Sequence, residues 1–117
     1  MARLTFPVTE VKGPYETSIG ANAADLTFTA TVVADKAQCA LDGNIIVLCQ
    51  NTDVGAQTVT FTSAADAYNR TGDITTYSIG ASEIAAFEFS PHGWKQSDGN
   101  LYFEASHIGV KFCVLKK

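Results

Sequence analysis

A catalytic centre needs a base, a nucleophile or a metal held in a cleft, and few residues of this chain could supply one. There are two histidines. His92 sits in Pro91-His92-Gly93 and His107 in Ser106-His107-Ile108-Gly109, so both read as exposed turn residues and not as a catalytic or metal-ligating pair. The three cysteines, Cys39, Cys49 and Cys113, are odd in number and widely spaced, which fits neither a disulfide framework nor a zinc site. Cys49 closes the apolar run Ile45-Ile46-Val47-Leu48, and Cys113 lies inside Val110-Lys111-Phe112-Cys113-Val114-Leu115. Both read as small hydrophobes in strands. Asp66 and Asp73 bracket Tyr68, Asn69, Arg70 and Thr71, and oxygen ligands at such spacing can hold Ca²⁺. The dense Asp/Asn-Gly pattern of a Ca²⁺ loop is missing, however, and an Arg70–Asp73 pair or Asx turns account for the residues more simply. The glycines stand singly in turns and form no phosphate cradle. The expectation is a protein with no catalytic residues, no cofactor and no metal.

The elements that would position these residues are short strands. Leu26, Phe28, Ala30 and Val32 alternate with Thr27, Thr29 and Thr31, the period of 2 of a half-buried strand with threonine on its wet face. Residues 34–43 are small and polar and end in the turn signal Asp42-Gly43. Residues 45–49 are apolar on both faces, as in a central strand. After a loop bearing Asn51, Asp53 and Gly55, residues 58–62 alternate again, and the spacing predicts that 45–50 and 57–63 form a hairpin. A longer loop over 64–73 leads to a strand at 74–79. Gly80-Ala81 reads as a two-residue turn into 82–89, where Ala85, Phe87 and Phe89 share a face. Pro91-His92-Gly93 breaks the chain before Trp94, Asp98-Gly99 turns into 100–105, and the last run is 109–115.

Seven or eight short strands with turns every 8–12 residues, and no sustained 3.6 period, predict an all-β antiparallel sandwich or barrel, a jelly roll among the options. The predicted core is Leu26, Phe28, Val47, Val59, Phe61, Phe87, Phe103 and Phe112. Residues 1–24 carry little periodicity and hold Pro7, Gly13, Pro14 and Gly20, so they read as an extended arm, with room for one short strand near Leu4–Val8, ahead of a β-sandwich domain over 25–117. Such an arm is expected to add little to folding and much to attachment. Its Leu4, Phe6, Val8, Val11 and Tyr15 are apolar groups that a neighbouring chain could cover, and the alternation of Leu4, Phe6 and Val8 suits strand addition to a sheet edge.

Composition narrows the partners. At 117 residues the chain is one domain's length, and with 46% hydrophobic and 17% charged residues it is compact and not disordered. Its net charge is −4 and its basic residues are scattered, which disfavours nucleic acid. No apolar run approaches the ~20 residues of a membrane span. The first residues, Met-Ala-Arg-Leu-Thr-Phe-Pro, carry no secretory apolar region, pointing to a protein made in the cytosol and kept there or assembled into something released later. Of the aromatic residues, Tyr68, Tyr77, Trp94 and Tyr102 fall in loops or on outward faces. Exposed Trp and Tyr mark protein contacts or carbohydrate-stacking surfaces; the simpler alternative has Trp94 covering one end of the sandwich.

Three stretches carry a resemblance: residues 51–63 (Asn-Thr-Asp-Val-Gly-Ala-Gln-Thr-Val-Thr-Phe-Thr-Ser), residues 65–77 (Ala-Asp-Ala-Tyr-Asn-Arg-Thr-Gly-Asp-Ile-Thr-Thr-Tyr) and residues 93–105 (Gly-Trp-Lys-Gln-Ser-Asp-Gly-Asn-Leu-Tyr-Phe-Glu-Ala). Together they resemble small β-rich proteins encoded in the structural modules of tailed bacteriophages and prophages, over roughly residues 24–115. The resemblance implies a virion protein, and at this size a capsid decoration (cement) protein bound to the major capsid protein or other virion proteins. A head–tail or tail accessory protein and a carbohydrate-binding or adhesin-like module are the alternatives. The expected interface residues are Leu4, Phe6, Val8, Val11, Tyr15, Tyr68, Arg70, Trp94 and Tyr102, in a homo-oligomer for which capsid geometry suggests a trimer.

Overall fold

The computed structural model describes residues 3–11, 25–65, 68 and 71–116. Among them are ten strands and no helix: β1 (Leu4–Phe6), β2 (Val8–Glu10), β3 (Thr29–Ala30), β4 (Ala37–Ala40), β5 (Ile45–Asn51), β6 (Gln57–Thr62), β7 (Ile74–Ile79), β8 (Ile84–Phe89), β9 (Asn100–Ala105) and β10 (Val110–Lys116). They form two sheets, ordered β1-β4-β9-β6-β7 and β2-β10-β5-β8, with β3 also pairing β10. Taken from β3 to β10 in chain order, the eight strands pair as first–eighth–third–sixth in one sheet and second–seventh–fourth–fifth in the other, every pairing antiparallel. That order is a jelly roll, two Greek keys folded face to face.

The alternation read from the sequence places the core. Along β5 the side chains of Ile45, Val47, Cys49 and Asn51 are buried while Ile46, Leu48 and Gln50 face outward, and in β9 Leu101, Phe103 and Ala105 turn inward. An aromatic chain runs through the middle. Phe112 and Phe6 both touch Phe103 (4.7 and 5.6 Å between ring centroids), Phe103 meets Phe61 (5.8 Å), and Phe61 meets Phe89 (4.7 Å), which Trp94 covers edge-on at 4.8 Å. Offset and tilted pairs of this kind add about 0.5–1.5 kcal/mol each beyond the area they bury.

Five of the eight predicted core residues, Val47, Val59, Phe61, Phe103 and Phe112, are fully buried. Phe28 and Phe87 are half-buried, and Leu26 is 43% exposed. The strand expected over 26–32 shrinks to Thr29–Ala30, because β10 offers it just two partners, Lys111 and Phe112. The small, polar segment 34–43 instead contains β4, whose Ala37 and Cys39 are buried together with Leu41; small side chains there let it lie close against the facing sheet. The expected hairpin between 45–50 and 57–63 is not formed. β5 and β6 belong to different sheets, and so do β7 and β8 on either side of Gly80-Ala81. Turn residues dictate that the chain reverses, but not whether it returns in the same sheet or crosses to the other; here β6 and β7 alone make an antiparallel neighbour pair in sequence.

The N-terminal segment departs most from expectation. β1 lies parallel to β4 (Leu4 opposite Ala37, Phe6 opposite Cys39) and β2 parallel to β10 (Val8 opposite Val114). Phe6 is 4% exposed and stands inside the aromatic chain. Strand addition is thus the mode, but the edges extended belong to the chain's own two sheets, and Pro7 between β1 and β2 marks the crossing from one to the other. These two parallel pairs make both sheets mixed. Residues 12–24, Tyr15 included, lie outside the described residues.

Candidate interaction surface

Among the described residues, several groups able to do chemistry are held in structural roles. His92 and His107 lie beyond opposite ends of β9, so the fold does not bring them together. His107 Nδ1 accepts the Gly109 N–H (2.9 Å). Cys39, Cys49 and Cys113 are free and buried. Burial pushes the Cys39 thiol up to about 12 and raises those of Cys49 and Cys113, so none is a thiolate at neutral pH. Asp73 Oδ1 accepts from both the backbone N–H (2.8 Å) and the hydroxyl (2.7 Å) of Ser63, tying the long 63–73 loop at its base. These bonds hold its carboxyl below the usual range. Asp66 and Arg70, the other groups of the considered Ca²⁺ loop, lie outside the described residues. Among the described residues no three His, Cys, Asp or Glu side chains group closely enough to hold a metal.

One end of the sandwich is organised by a residue the sequence reading passed over. Asn51, at 0% exposure, ends β5. Its Nδ2 donates to the carbonyls of Gly55 (2.9 Å), Ile79 (2.9 Å) and Gly80 (3.3 Å), while its Oδ1 accepts the Asp53 N–H (2.9 Å). It thereby fastens the β5–β6 loop to the β7–β8 turn. The Thr52 N–H and hydroxyl both reach the Gly109 carbonyl (2.9 and 2.6 Å), fastening the β9–β10 turn to the same place. Val54, 96% exposed, tips this cluster.

The opposite end holds Trp94. Gly93, at φ +87, takes the left-handed conformation that turns the chain toward it. Trp94 packs on Phe89 and lines a shallow depression of about 250 Å³ with Ser63, Ala64, Thr71, Gly72, His92 and Gly93. This is the simpler of its two expected roles, a cover over the end of the core. Tyr68 projects from the neighbouring loop, largely exposed. Tyr102 faces outward on β9, but towards its own chain's N-terminus: its hydroxyl donates to Asp98 Oδ2 (2.6 Å), and the Arg3 guanidinium lies 4.1 Å over its ring. The Asp98 bond lowers the carboxyl's pKa and raises the phenol's. Of the other expected interface residues, Phe6 is buried in its own core, Leu4 and Val8 are half-buried against it, and Val11 is exposed beyond β2. Arg70 and Tyr15 lie outside the described residues. The described arm residues Leu4, Phe6, Val8 and Val11 therefore range from buried to exposed and pack largely on their own chain.

A different surface emerges from the register. The outer face of the first sheet is polar, as the exposed side of a sandwich normally is: Gln38, Thr58, Thr60, Thr62, Tyr102 and Glu104. The outer face of the second is not. Cross-strand pairing sets its side chains in three rows over β10, β5 and β8: Leu115, Ile46, Glu88; then Cys113, Leu48, Ala86; then Lys111, Gln50, Ile84. Six of these nine positions are apolar. Cys113 is covered, but Leu115, Ile46 and Leu48 reach solvent in part, Ala86 is exposed and Ile84 is 56% exposed. The signal was present in residues 45–48, apolar on both faces, which in a two-layer sandwich turns one apolar face away from the core; the segment at Thr27 covers it at Cys113 and the rest reaches solvent. The molecule is thus a jelly-roll sandwich with one dry-sided sheet. Compared with protein-family models, curated proteins and solved structures, the chain matches none.

Proposed function

We propose that this chain is a non-enzymatic structural subunit that works by assembly, a capsid decoration protein of a tailed bacteriophage that binds the head surface and stabilises it. The observation that carries the reading is the apolar outer face of the second sheet. A contiguous apolar patch on an otherwise acidic, polar domain marks a protein contact. The resemblance of residues 24–115 to phage structural proteins supplies the particle, with the major capsid protein as the partner. The remaining physics suits the role. The histidines are apart, the thiols are protonated and buried, and the carboxylates with lowered pKa serve as turn anchors. Contacts repeated over a shell allow each to be weak while the sum is large.

The experiment is to add the purified protein to particles that lack it. Co-sedimentation at a fixed stoichiometry, with a rise in the temperature at which heads rupture, is the expected result; labelling its position by electron microscopy separates a head role from a head–tail or tail role. Failure to bind heads, with binding to an isolated glycan instead, overturns the reading in favour of an adhesin.

A further inference from the structure

We propose that the apolar outer face of the second sheet pairs with the same face of a second copy about a two-fold axis. The inference rests on reading that face as an interface and names its occupant. The argument is the placement of charge. Two charged side chains lie on the nine-position face, Lys111 and Glu88, and they occupy opposite corners, with β5 between their strands. With strands roughly 4.8 Å apart and a two-residue rise of roughly 6.8 Å, they are about 17 Å from each other within one chain. The one ion pair among the described residues is Lys36–Glu104, so neither corner charge is engaged at home.

The other diagonal, from Leu115 through Leu48 to Ile84, is wholly apolar. Half a turn about that line lays Leu48 on Leu48, Leu115 on Leu115 and Ile84 on Ile84. The same rotation brings Lys111 of each copy to within about 6 Å, in projection, of Glu88 of the other, within reach of the two side chains. Both charges are then paired, twice, by one symmetry operation, which is what an isologous interface requires. The strands of the two copies cross at roughly 70°, towards the orthogonal class of sheet packing. A footprint of roughly 300 Å² per copy, about 600 Å² in all, lies well below the standard range for stable complexes. The pair is accordingly weak in dilute solution and favoured where copies are concentrated, as on an assembled surface.

Sedimentation equilibrium of the purified chain over a concentration series tests this. The expected result is a monomer–dimer equilibrium that Leu48→Lys abolishes while circular dichroism and melting show the variant folded. Lys111→Glu and Glu88→Lys should each weaken dimerisation, by roughly ten- to thirtyfold, and the double reversal should restore it. A trimer, as capsid geometry suggests, or a double reversal without rescue overturns the two-fold pairing. A wild-type monomer at all concentrations overturns it too; if Leu48→Lys then still abolishes head binding, the assembly reading stands with the capsid as the occupant, and if head binding is also unchanged, both fail.

Discussion

Asn51→Ala is the substitution that tests most directly how two loops are held together at one end of the sandwich. The side chain is wholly buried and makes four hydrogen bonds, three donated by Nδ2 to the carbonyls of Gly55, Ile79 and Gly80 and one accepted by Oδ1 from the Asp53 N–H. The 3.3 Å bond to Gly80 shares a hydrogen with its neighbours, so about three bonds count, at about 1 kcal/mol net each. The Ile79 carbonyl is in a buried setting, and leaving it without a partner adds about 1–2 kcal/mol. The loss is then about 4–5 kcal/mol, or roughly 15–20 °C in melting temperature for a domain of this size. Chemical denaturation and calorimetry measure it. Asn51→Asp sharpens the test, because it keeps the acceptor but turns a carboxylate oxygen toward three carbonyls. Its folded pKa is raised above the unfolded one, so the protein is least destabilised at acid pH and loses stability as pH rises through the carboxylate range. A loss below about 1.5 kcal/mol for Asn51→Ala, or an Asn51→Asp variant without that pH dependence, refutes the hub.

Other expectations are shorter. Phe61→Ala removes a fully buried ring that touches Phe87, Phe89 and Phe103 and should cost about 3–5 kcal/mol by denaturant titration. Deleting residues 1–10 removes β1, β2 and Phe6, and the isolated protein should melt many degrees lower; unchanged melting would return these residues to the role of a free arm. Asp53, Asp73 and Asp98 have folded pKa values below the ordinary 3.8. Their contribution is present above that value and is lost as pH falls through the lowered ones, so acid titration of Asp73→Asn should show a shallower loss than wild type. At neutral pH a thiol reagent should leave the buried Cys39 and Cys49 unmodified in the native protein and label them once it is denatured.

What the sequence revealed and what it hid divide along a physical line. Strands with a wet face and a dry face announce themselves by period: β6, β8, β9 and β10 were legible because Val59 and Phe61, Phe87 and Phe89, Leu101 and Phe103, and Phe112 and Val114 alternate. β4 was not, because Ala37, Cys39 and Ala40 are too small to show contrast, although two of them are fully buried. The sheet in which each strand lies was equally hidden. Asp42-Gly43 and Gly80-Ala81 specify reversals, but the choice between hairpin and crossing depends on which faces bury the most apolar surface, a property of the whole fold. Asn51 looked like a loop residue since Asn commonly is one; its side chain is buried between the β5–β6 loop and the β7–β8 turn, a convergence that no local pattern encodes.

The N-terminal strands show how the two sheets can be completed without antiparallel neighbours. In this jelly roll β4 is an edge strand of the first sheet, and in the second β3 pairs β10 at Lys111 and Phe112 alone, leaving the rest of that side of β10 open; open edges invite pairing with other chains. β1 and β2 cover both with one short segment that crosses from sheet to sheet at Pro7, which has no N–H to offer a ladder, and leave edge strands of three residues each. At the other side of the sandwich the β7 edge is blunted differently. The register shifts between Val59 and Phe61, Thr76 takes φ +50, and its N–H turns to Thr60 Oγ1 (3.0 Å), a bulge that spoils the edge as a template. With two edges reduced to three-residue strands and the β7 edge distorted, growth by strand addition is disfavoured at three of the four. The apolar outer face of β10, β5 and β8 is then the surface with most to gain from a partner, and face-to-face packing closes on itself after two copies, so it covers such a surface without open-ended growth.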